Sequence, residues 1–232
     1  AYMIARNLCN KLNYDINQTT ANVLFCIGTI ADMAPLIGAN RKWLKDCLPK
    51  INKTNNLAIR TIIRKLAIDD TEISSEDIGY KIAPLINSVG RIGNPKLIVD
   101  FLTDTSESSI KKSTKQIFSL SQQRKSLTTL IEKEALKIAA DEYADNSQFL
   151  VLINSDWHPG VIGIVAARIV DKYNLPTALL SQANDGTFRG SIRSNNQLKV
   201  NLALEECTEI LENHGGHSAA AGFSIKEENI PK

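Results

Sequence analysis

Residues 149–168 read FLVLINSDWHPGVIGIVAAR and decide the architecture of the C-terminal third of the chain. The apolar run Phe149–Ile153 is typical of a buried strand, and Val161–Tyr173 carries apolar residues at helical spacing. A second apolar run, Thr177–Leu180, predicts another strand. Because a short helical crossover joins the two strands, we expect a right-handed βαβ unit with parallel strands.

The residues that follow predict further strands beside this unit. Asn184-Asp185-Gly186 is typical of a turn, and Thr187–Ser194 then alternates in character. One face of this predicted strand carries three polar side chains, Arg189, Ser191 and Arg193. A helix over Val200–Asn213, stopped by Gly215-Gly216, and a last strand over Ala219–Ile225 complete the prediction.

The rest of the chain predicts helices. Apolar residues recur at helical spacing from Thr105 to Tyr143 among many charges, which indicates one long helix. Shorter helices are expected near residues 1–12, 40–50 and 55–67, whereas the apolar run within 19–31 is compatible with a helix or a strand. We therefore predict an α/β protein in three parts, with boundaries at 1–104, 105–146 and 147–232.

Composition excludes several classes of protein. The 232 residues are 43% hydrophobic, which is enough for a sizeable core, and no run of about 18 apolar residues predicts a membrane helix. The four cysteines lack C-x-x-C spacing, so neither a zinc site nor a disulfide framework is indicated. We expect a soluble, cytoplasmic protein without a membrane partner. A net charge of +2 does not by itself indicate a polyanionic ligand.

Two segments of the N-terminal half stand out as candidate sites. Asp32 lies between an apolar run and a proline-bounded turn, in the stretch GTIADMAPL of residues 28–36, where it could also simply cap a helix. Gly90-Arg91-Ile92-Gly93-Asn94-Pro95 predicts a sharp turn. The flanking glycines would let backbone amides and the Arg91 guanidinium contact a phosphate together, although an exposed arginine in a turn is the simpler alternative.

The C-terminal third contains the most specific signals. His158-Pro159-Gly160 precedes the predicted helix, so Gly160 and the first helical amides could form an anion site. His217 follows Gly215-Gly216, and all three histidines of the chain lie in this third. A lone histidine is more often structural than functional, but its place behind two glycines favours contact with a ligand.

Together these segments resemble RecJ-like single-strand DNA exonucleases of the DHH phosphoesterase superfamily. GTIADMAPL at 28–36 is similar to the fourth motif of that branch, and INSVGRIG at 86–93 is similar to its I-N-A-x-G-R-x-G segment. HPGVIGIVAAR at 158–168, GSIRS at 190–194 and GGHSAAAG at 215–222 resemble the motifs of its DHHA1 domain. The matches follow the family's order along nearly the whole chain.

The resemblance implies a metal-dependent phosphodiesterase that removes nucleotides from the 5′ end of single-stranded DNA in repair and recombination. It implies that Asp32 is a catalytic ligand of a Mn²⁺ or Mg²⁺ pair, a chemistry that suits a carboxylate. The phosphate and nucleotide contacts would come from Arg91, His158, Gly160, Ser191, Arg193, Gly216 and His217. Single-stranded DNA is the expected partner, with repair or replication proteins as further candidates.

The resemblance also indicates what this chain does not contain. The family's Asp-x-Asp and Asp-His-His motifs are absent, and both ends of the chain look cut, so we expect a fragment that is inactive by itself. Residues 1–104 would be the C-terminal part of the DHH domain, 105–146 the connecting helix and 147–232 the DHHA1 domain. Two alternatives remain open: a phosphatase or nanoRNase acting on small nucleotides, and an inactive nucleic-acid-binding scaffold.

Overall fold

The computed structural model describes residues 1–15, 20–69, 71–142, 147–183, 186–195 and 198–230. The chain divides into two compact units, Ala1–Gln122 and Gln123–Lys232, and each is described here by itself. Among the described helices, none combines the length and the apolarity that a membrane span requires. The observed class is α/β, as the sequence predicts, with a long helix followed by a five-stranded sheet.

The described part of the first unit is helical. Its elements, in chain order, are α1 (Tyr2–Lys11), α2 (Thr20–Ala31), α3 (Gly38–Cys47), a 3₁₀ helix (Leu48–Lys53), α4 (Leu57–Lys65), a π-helical turn (Asp77–Ile82), α5 (Ala83–Ile92), α6 (Lys96–Thr103) and the first part of α7 (Glu107–Glu142). The run within residues 19–31, which sequence left open, is therefore a helix. Its inward face, Val23, Cys26 and Ile27, is buried in a core built mainly from isoleucines.

The prediction of a sharp turn over Gly90–Pro95 was wrong in its first half. Gly90 and Arg91 belong to the last turn of α5, and the helix ends only at Ile92. The amide of the next residue, Gly93, donates to the Val89 carbonyl at 2.8 Å. The helix continues through Gly90 because Leu85 and Val89 on its inner face are buried. Tertiary packing outweighs the roughly 1 kcal/mol that a glycine costs in a helix.

The long helix that sequence predicts is observed. Helix α7 has 36 residues, which corresponds to about 54 Å at a rise of 1.5 Å per residue. In the first unit it buries Ile110 and Ile117, and in the second it buries Ile131, Ala135 and Ala139. The apolar stripe among its charges is therefore used along the whole length of the helix.

The second unit is a mixed sheet flanked by helices. Its strands are β1 (Leu150–Ile153), β2 (Thr177–Gln182), β3 (Thr187–Arg193), β4 (Leu211–His217) and β5 (Ala220–Lys226), and its helices are α8 (Pro159–Tyr173) and α9 (Val200–Glu206). The spatial order is β1-β2-β3-β5-β4, with β1 and β2 parallel and the other pairs antiparallel. The predicted βαβ unit is thus present. The turn expected at Asn184-Asp185-Gly186 falls partly outside the described residues.

The two faces of the sheet are covered differently. Helix α8 packs on β2 and β3 on one face, and α9 packs on β4 and β5 on the other. On the α9 face, Val200 and Leu204 join the apolar side chains of Phe188, Ile192 and Ala221 in one core. In the described part of the chain, helix α8 contacts β2 and β3 and leaves the β4–β5 half of this face uncovered. The candidate site described below extends from β3 onto that half.

The helix predicted over Val200–Asn213 is wrong beyond Glu206. Helix α9 ends there, and Leu211–His217 forms the edge strand β4. Strand β4 is mostly exposed and has no alternating apolar pattern, so its own residues do not indicate a strand. Its conformation is fixed by backbone pairing with β5, a partner that lies later in the chain.

Candidate nucleic-acid interface

Arg193, Ala220 and His217 lie in one row across three neighbouring strands. Arg193 on β3 pairs with Ala220 on β5, and Ala220 pairs with His217 on β4. Residues directly opposite each other in antiparallel strands project from the same face, so the arginine and the histidine share the α8 face. With strands about 4.8 Å apart, their α-carbons are roughly 10 Å apart, a span suited to a phosphate and its sugar.

The Arg193 side chain is held against its own strand. Its Nη1 donates to Ser191 Oγ at 3.0 Å and to the Ile192 carbonyl at 2.8 Å. Both polar side chains also contact α8, where a methyl group on Gly163 would meet Ser191 Oγ at 2.7 Å and Arg193 Nη2 at 2.8 Å. The absence of a side chain at Gly163 therefore creates the space that the guanidinium occupies.

The β4–β5 hairpin is attached to the strand that carries Arg193. The Ser194 amide donates to the Ala219 carbonyl, and the Val200 amide donates to the Ser218 carbonyl, each at 3.0 Å. Gly216 makes the close pairing possible, because its φ of 152° favours glycine and an added Cβ would lie 2.4 Å from the Ala221 Cα. These contacts fix His217 beside the end of β3.

Between the arginine and the histidine, the surface of the sheet is formed by small residues. Gly222 on β5 pairs with Ser191 on one side and with Gly215 on the other. Gly222 is half-buried, whereas Gly215 and His217 are exposed. The uncovered half of this face is therefore a shallow floor without bulky side chains, bordered by a cation and an imidazole.

His158 caps α8 with its own side chain. Its Nδ1 accepts a hydrogen bond from the Gly160 amide at 3.0 Å, and its carbonyl accepts one from the Val161 amide at 3.1 Å. The Gly160 and Val161 amides are therefore already used as donors within this structure, and the contact of Gly160 with an anion stays a prediction. An imidazole that accepts at Nδ1 carries its hydrogen at Nε2, which remains a donor.

The loop in front of α8 is anchored on the second part of α7. Trp157 is buried, and its Nε1 donates to Glu134 Oε2 at 2.8 Å. Arg168 on α8 forms an ion pair with Glu132, which precedes Glu134 by two residues on α7. Two contacts on α7 thus hold the segment that presents His158.

Asp32, the predicted catalytic and metal-binding residue, directly follows the last turn of α2. It is exposed, and its amide donates to the Gly28 carbonyl at 3.1 Å. It does not cap a helix start, because α3 begins at Gly38 with Ile37 as its N-cap. A carboxylate at a helix C-terminus is repelled by the negative end of the helix dipole, and a bound cation would offset that repulsion.

Arg91 is exposed in the last turn of α5. Its side chain lies on the surface, whereas the flanking backbone amides follow the helical pattern and do not converge on it. Asp32 and Arg91 belong to the first unit, and the other six predicted residues belong to the second. The structure brings together Ser191, Arg193, Gly216 and His217 directly, and His158 lies at the start of the helix that contacts Ser191 and Arg193.

The described residues do not fit a pair of divalent cations by themselves. Across the described ranges, no three side chains among His, Cys, Asp and Glu cluster closely enough to hold a metal ion. Asp32 alone offers one carboxylate, whereas hard divalent cations take six or more oxygen ligands, several of them from protein in a two-metal site.

Comparison with known proteins finds a matching domain family for most of the second unit. Residues 146–232, which include the strands and hairpin described above, match the DHHA1 domain. The chain is 32% identical over 232 residues to the single-stranded-DNA-specific exonuclease RecJ of Bacillus subtilis and 32% identical over 222 residues to that of Haemophilus influenzae. These alignments cover 100% and 92% of this chain.

Solved structures give the same result. The RecJ structure from Thermus thermophilus in complex with Mg²⁺ matches 97% of this chain with a TM-score of 0.83 at 27% identity, and the Mn²⁺ complex matches equally well. The resemblance to RecJ-like exonucleases is therefore confirmed. The chain spans 29% and 39% of the length of the two curated relatives and 34% of the Mg²⁺-bound structure.

One contributor to the site was not predicted from sequence. Gly163 was recognised only as part of a motif, although it provides the space for Arg193. A small residue at every third or fourth helical position could have indicated the close approach at Gly163.

Proposed function

We propose that this chain is part of a metal-dependent 5′-to-3′ single-stranded DNA exonuclease that acts in DNA repair and recombination. The observation that carries the proposal is the row Arg193–Ala220–His217, with Ser191 supporting the arginine. A guanidinium held in place binds a phosphate at little entropic cost, and the floor of small residues leaves room for the attached sugar and base.

In this proposal the second unit holds the strand, and its residues have distinct roles. Arg193 pairs with a backbone phosphate, and Ser191 keeps the guanidinium oriented. His217, and His158 through Nε2, donate to phosphate oxygens or to the terminal nucleotide. Gly216 and Gly160 shape the backbone beside His217 and His158, respectively, and so position the two imidazoles. Arg91 in the first unit is proposed as a further phosphate contact.

Hydrolysis is assigned to the complete protein. There, Asp32 would be one of several ligands of Mn²⁺ or Mg²⁺, and the metal would supply Lewis-acid chemistry for phosphodiester hydrolysis. The similarity to RecJ proteins, which are named as single-stranded-DNA-specific exonucleases, supports this substrate. A chromosomal substrate would place the protein in the cytoplasm, with repair or replication proteins as further partners.

The test is a pair of histidine substitutions in the complete protein. We expect His217→Ala to lower kcat/KM for a 5′-phosphorylated single strand by at least tenfold. His214→Ala is the matched control, because His214 lies on the same strand but on the opposite face. Equal losses in both variants would contradict the proposed role of this face.

The same assay separates the alternatives. A complete protein that binds single strands but releases no nucleotide with either metal would be a scaffold. One that cleaves dinucleotides much faster than longer strands would be a nanoRNase. Either result would overturn the proposed exonuclease activity.

A further inference from the structure

A groove in the first unit lies outside every motif considered so far. It has a volume of about 780 Å³ and lies between one face of α4 and the first turns of α7. Its floor contains Leu57 and the buried Ile110 and Thr114. The Lys65 ammonium lies 5.1 Å from the centre of the Phe118 ring on α7, a cation–π contact between the two helices.

The groove is strongly basic for a chain that is almost neutral. Four cations line it, Arg64 and Lys65 from α4 and Lys111 and Lys115 from α7, against a single carboxylate, Glu107. The whole chain has 27 basic and 25 acidic residues, so this excess is local. All four cationic side chains are exposed, and none forms an ion pair with any residue in the described part of the chain.

The placement of the charges indicates an anion with several charged groups. Lys111 and Lys115 are four residues apart on α7, a spacing at which like charges repel. Arg64 and Lys65 lie on the opposite wall, so positive charge is present on both sides of the groove. A ligand with repeated phosphates would relieve the repulsion along the groove, while its apolar parts would lie on Leu57 and Ile110.

We propose that this groove is a second binding surface for the phosphodiester backbone of single-stranded nucleic acid. The choice of ligand rests on the proposed function, in which the protein acts on single strands. An acidic peptide also carries repeated negative charges, but the proposed function gives no reason for this protein to bind one. The proposal therefore commits to nucleic acid and treats a peptide as a contrary outcome.

The test compares two double variants of the 232-residue chain. Lys111→Gln with Lys115→Gln removes two charges from the groove. Lys133→Gln with Lys137→Gln removes two exposed charges at the same spacing from the same helix, outside the groove. Binding of a labelled single strand of about 20 nucleotides is measured by fluorescence anisotropy over a range of salt concentrations, and Arg193→Ala is measured in parallel.

We expect the groove variant to lose affinity on the order of tenfold at low salt relative to the control variant. Its salt slope should fall by about 1.4, because two phosphate contacts on a single strand are lost. Equal affinity and equal slope for the two double variants would overturn the groove while leaving the Arg193 site intact. The opposite pattern, loss in the groove variant and none in Arg193→Ala, would support the groove and contradict the site in the second unit.

A second readout does not depend on substitutions. Acetylation of the unmodified chain with and without the oligonucleotide, followed by mass spectrometry, should show protection of Lys111 and Lys115 but not of Lys133. Protection by a polyglutamate peptide and none by the oligonucleotide would overturn the proposal, as would failure of the chain to bind single strands at all. In that last case the proposed strand-binding role of the second unit would fail with it.

Discussion

A methyl group at Gly163 would lie 2.8 Å from the Arg193 guanidinium, so the helix and the strand are in contact at the point where the candidate site begins. The atoms that would clash are the ends of side chains, Arg193 Nη2 and Ser191 Oγ, and both can move. The contact therefore determines where the arginine points more than how stable the domain is.

Gly163→Ala should separate binding from stability. We expect a change in unfolding free energy within about 1 kcal/mol, because the helix gains from alanine roughly what it loses by displacing two side chains. Affinity for single-stranded DNA should nevertheless fall several-fold, since the guanidinium is moved. Gly28→Ala, at an exposed helical glycine with no neighbour within 4 Å of the added atom, is the control and should not affect binding.

Gly216→Ala should behave differently, because its clashes are with backbone. The added Cβ would lie 2.4 Å from the Ala221 Cα and 2.5 Å from the Ala220 carbonyl oxygen, at a φ that side chains disfavour. We expect a loss of about 2 kcal/mol or more in unfolding free energy, measured by denaturant titration. Gly215→Ala meets nothing within 4 Å, so a comparable loss there would contradict this explanation.

Asp32→Asn in the complete protein should remove metal-dependent nuclease activity without loss of stability. Asp32 is exposed at the end of α2, so we expect the free energy of unfolding to change by less than about 0.5 kcal/mol. The substitution keeps the shape and removes one ligand charge. Unchanged turnover at saturating Mn²⁺ would show that Asp32 is not a metal ligand.

Cys47 should titrate unusually for a buried thiol. Its sulfur lies 3.2 Å from the Tyr2 hydroxyl and 2.6 Å from Asn22 Oδ1. A hydrogen bond from the Cys26 thiol, together with the one from Tyr2, lowers the pKa of Cys47, and sharing the proton raises the pKa of Cys26. Rotation of the Asn22 amide by half a turn would bring its buried NH₂ group, which has no partner among the described residues, to the Cys47 thiolate.

The pH dependence follows from the direction of that shift. A thiol whose pKa is lower in the folded chain stabilises the fold above the unfolded pKa, and this stabilisation is lost as the pH falls through the folded value. The thiolate absorbance in the ultraviolet, taken as the difference between the native chain and Cys47→Ser, should rise well below the roughly 8.5 of a free thiol. A midpoint at or above that value would contradict the assignment.

Local periodicity was sufficient to predict much of the fold. The apolar stripe of α7 and the alternation of β3 are properties of their own residues, and both elements were predicted within a few positions. Strand β4 could not be found in this way, because Glu212, Asn213 and the two glycines carry no strand pattern and the strand exists through its pairing with β5. Gly90 looked like a turn residue, but burial of Val89 keeps it in a helix.

The candidate site was predicted in its residues but not in its geometry. Motif similarity selected Ser191, Arg193 and His217, and the register of three strands places them on one face. Spacing could not indicate that His158 would accept the Gly160 amide, since that depends on the rotamer at the helix start. Residue spacing also could not show what each of the two units contributes to the site. The predicted boundaries at 104 and 146, and the roles of the individual site residues, stay predictions.

The central claim is that the row Arg193–Ala220–His217 binds single-stranded DNA. The salt dependence of binding tests this claim most directly. Arg193→Ala is compared with Arg189→Ala. Arg189 carries the same charge on the same face of β3, but it lies nearer the other end of the strand. We predict that the 232-residue chain binds single-stranded DNA without releasing nucleotides. Arg193→Ala should weaken that binding and lower the salt slope by about 0.7, while Arg189→Ala changes it much less. Equal affinity and slope in the wild type and in Arg193→Ala would contradict the account.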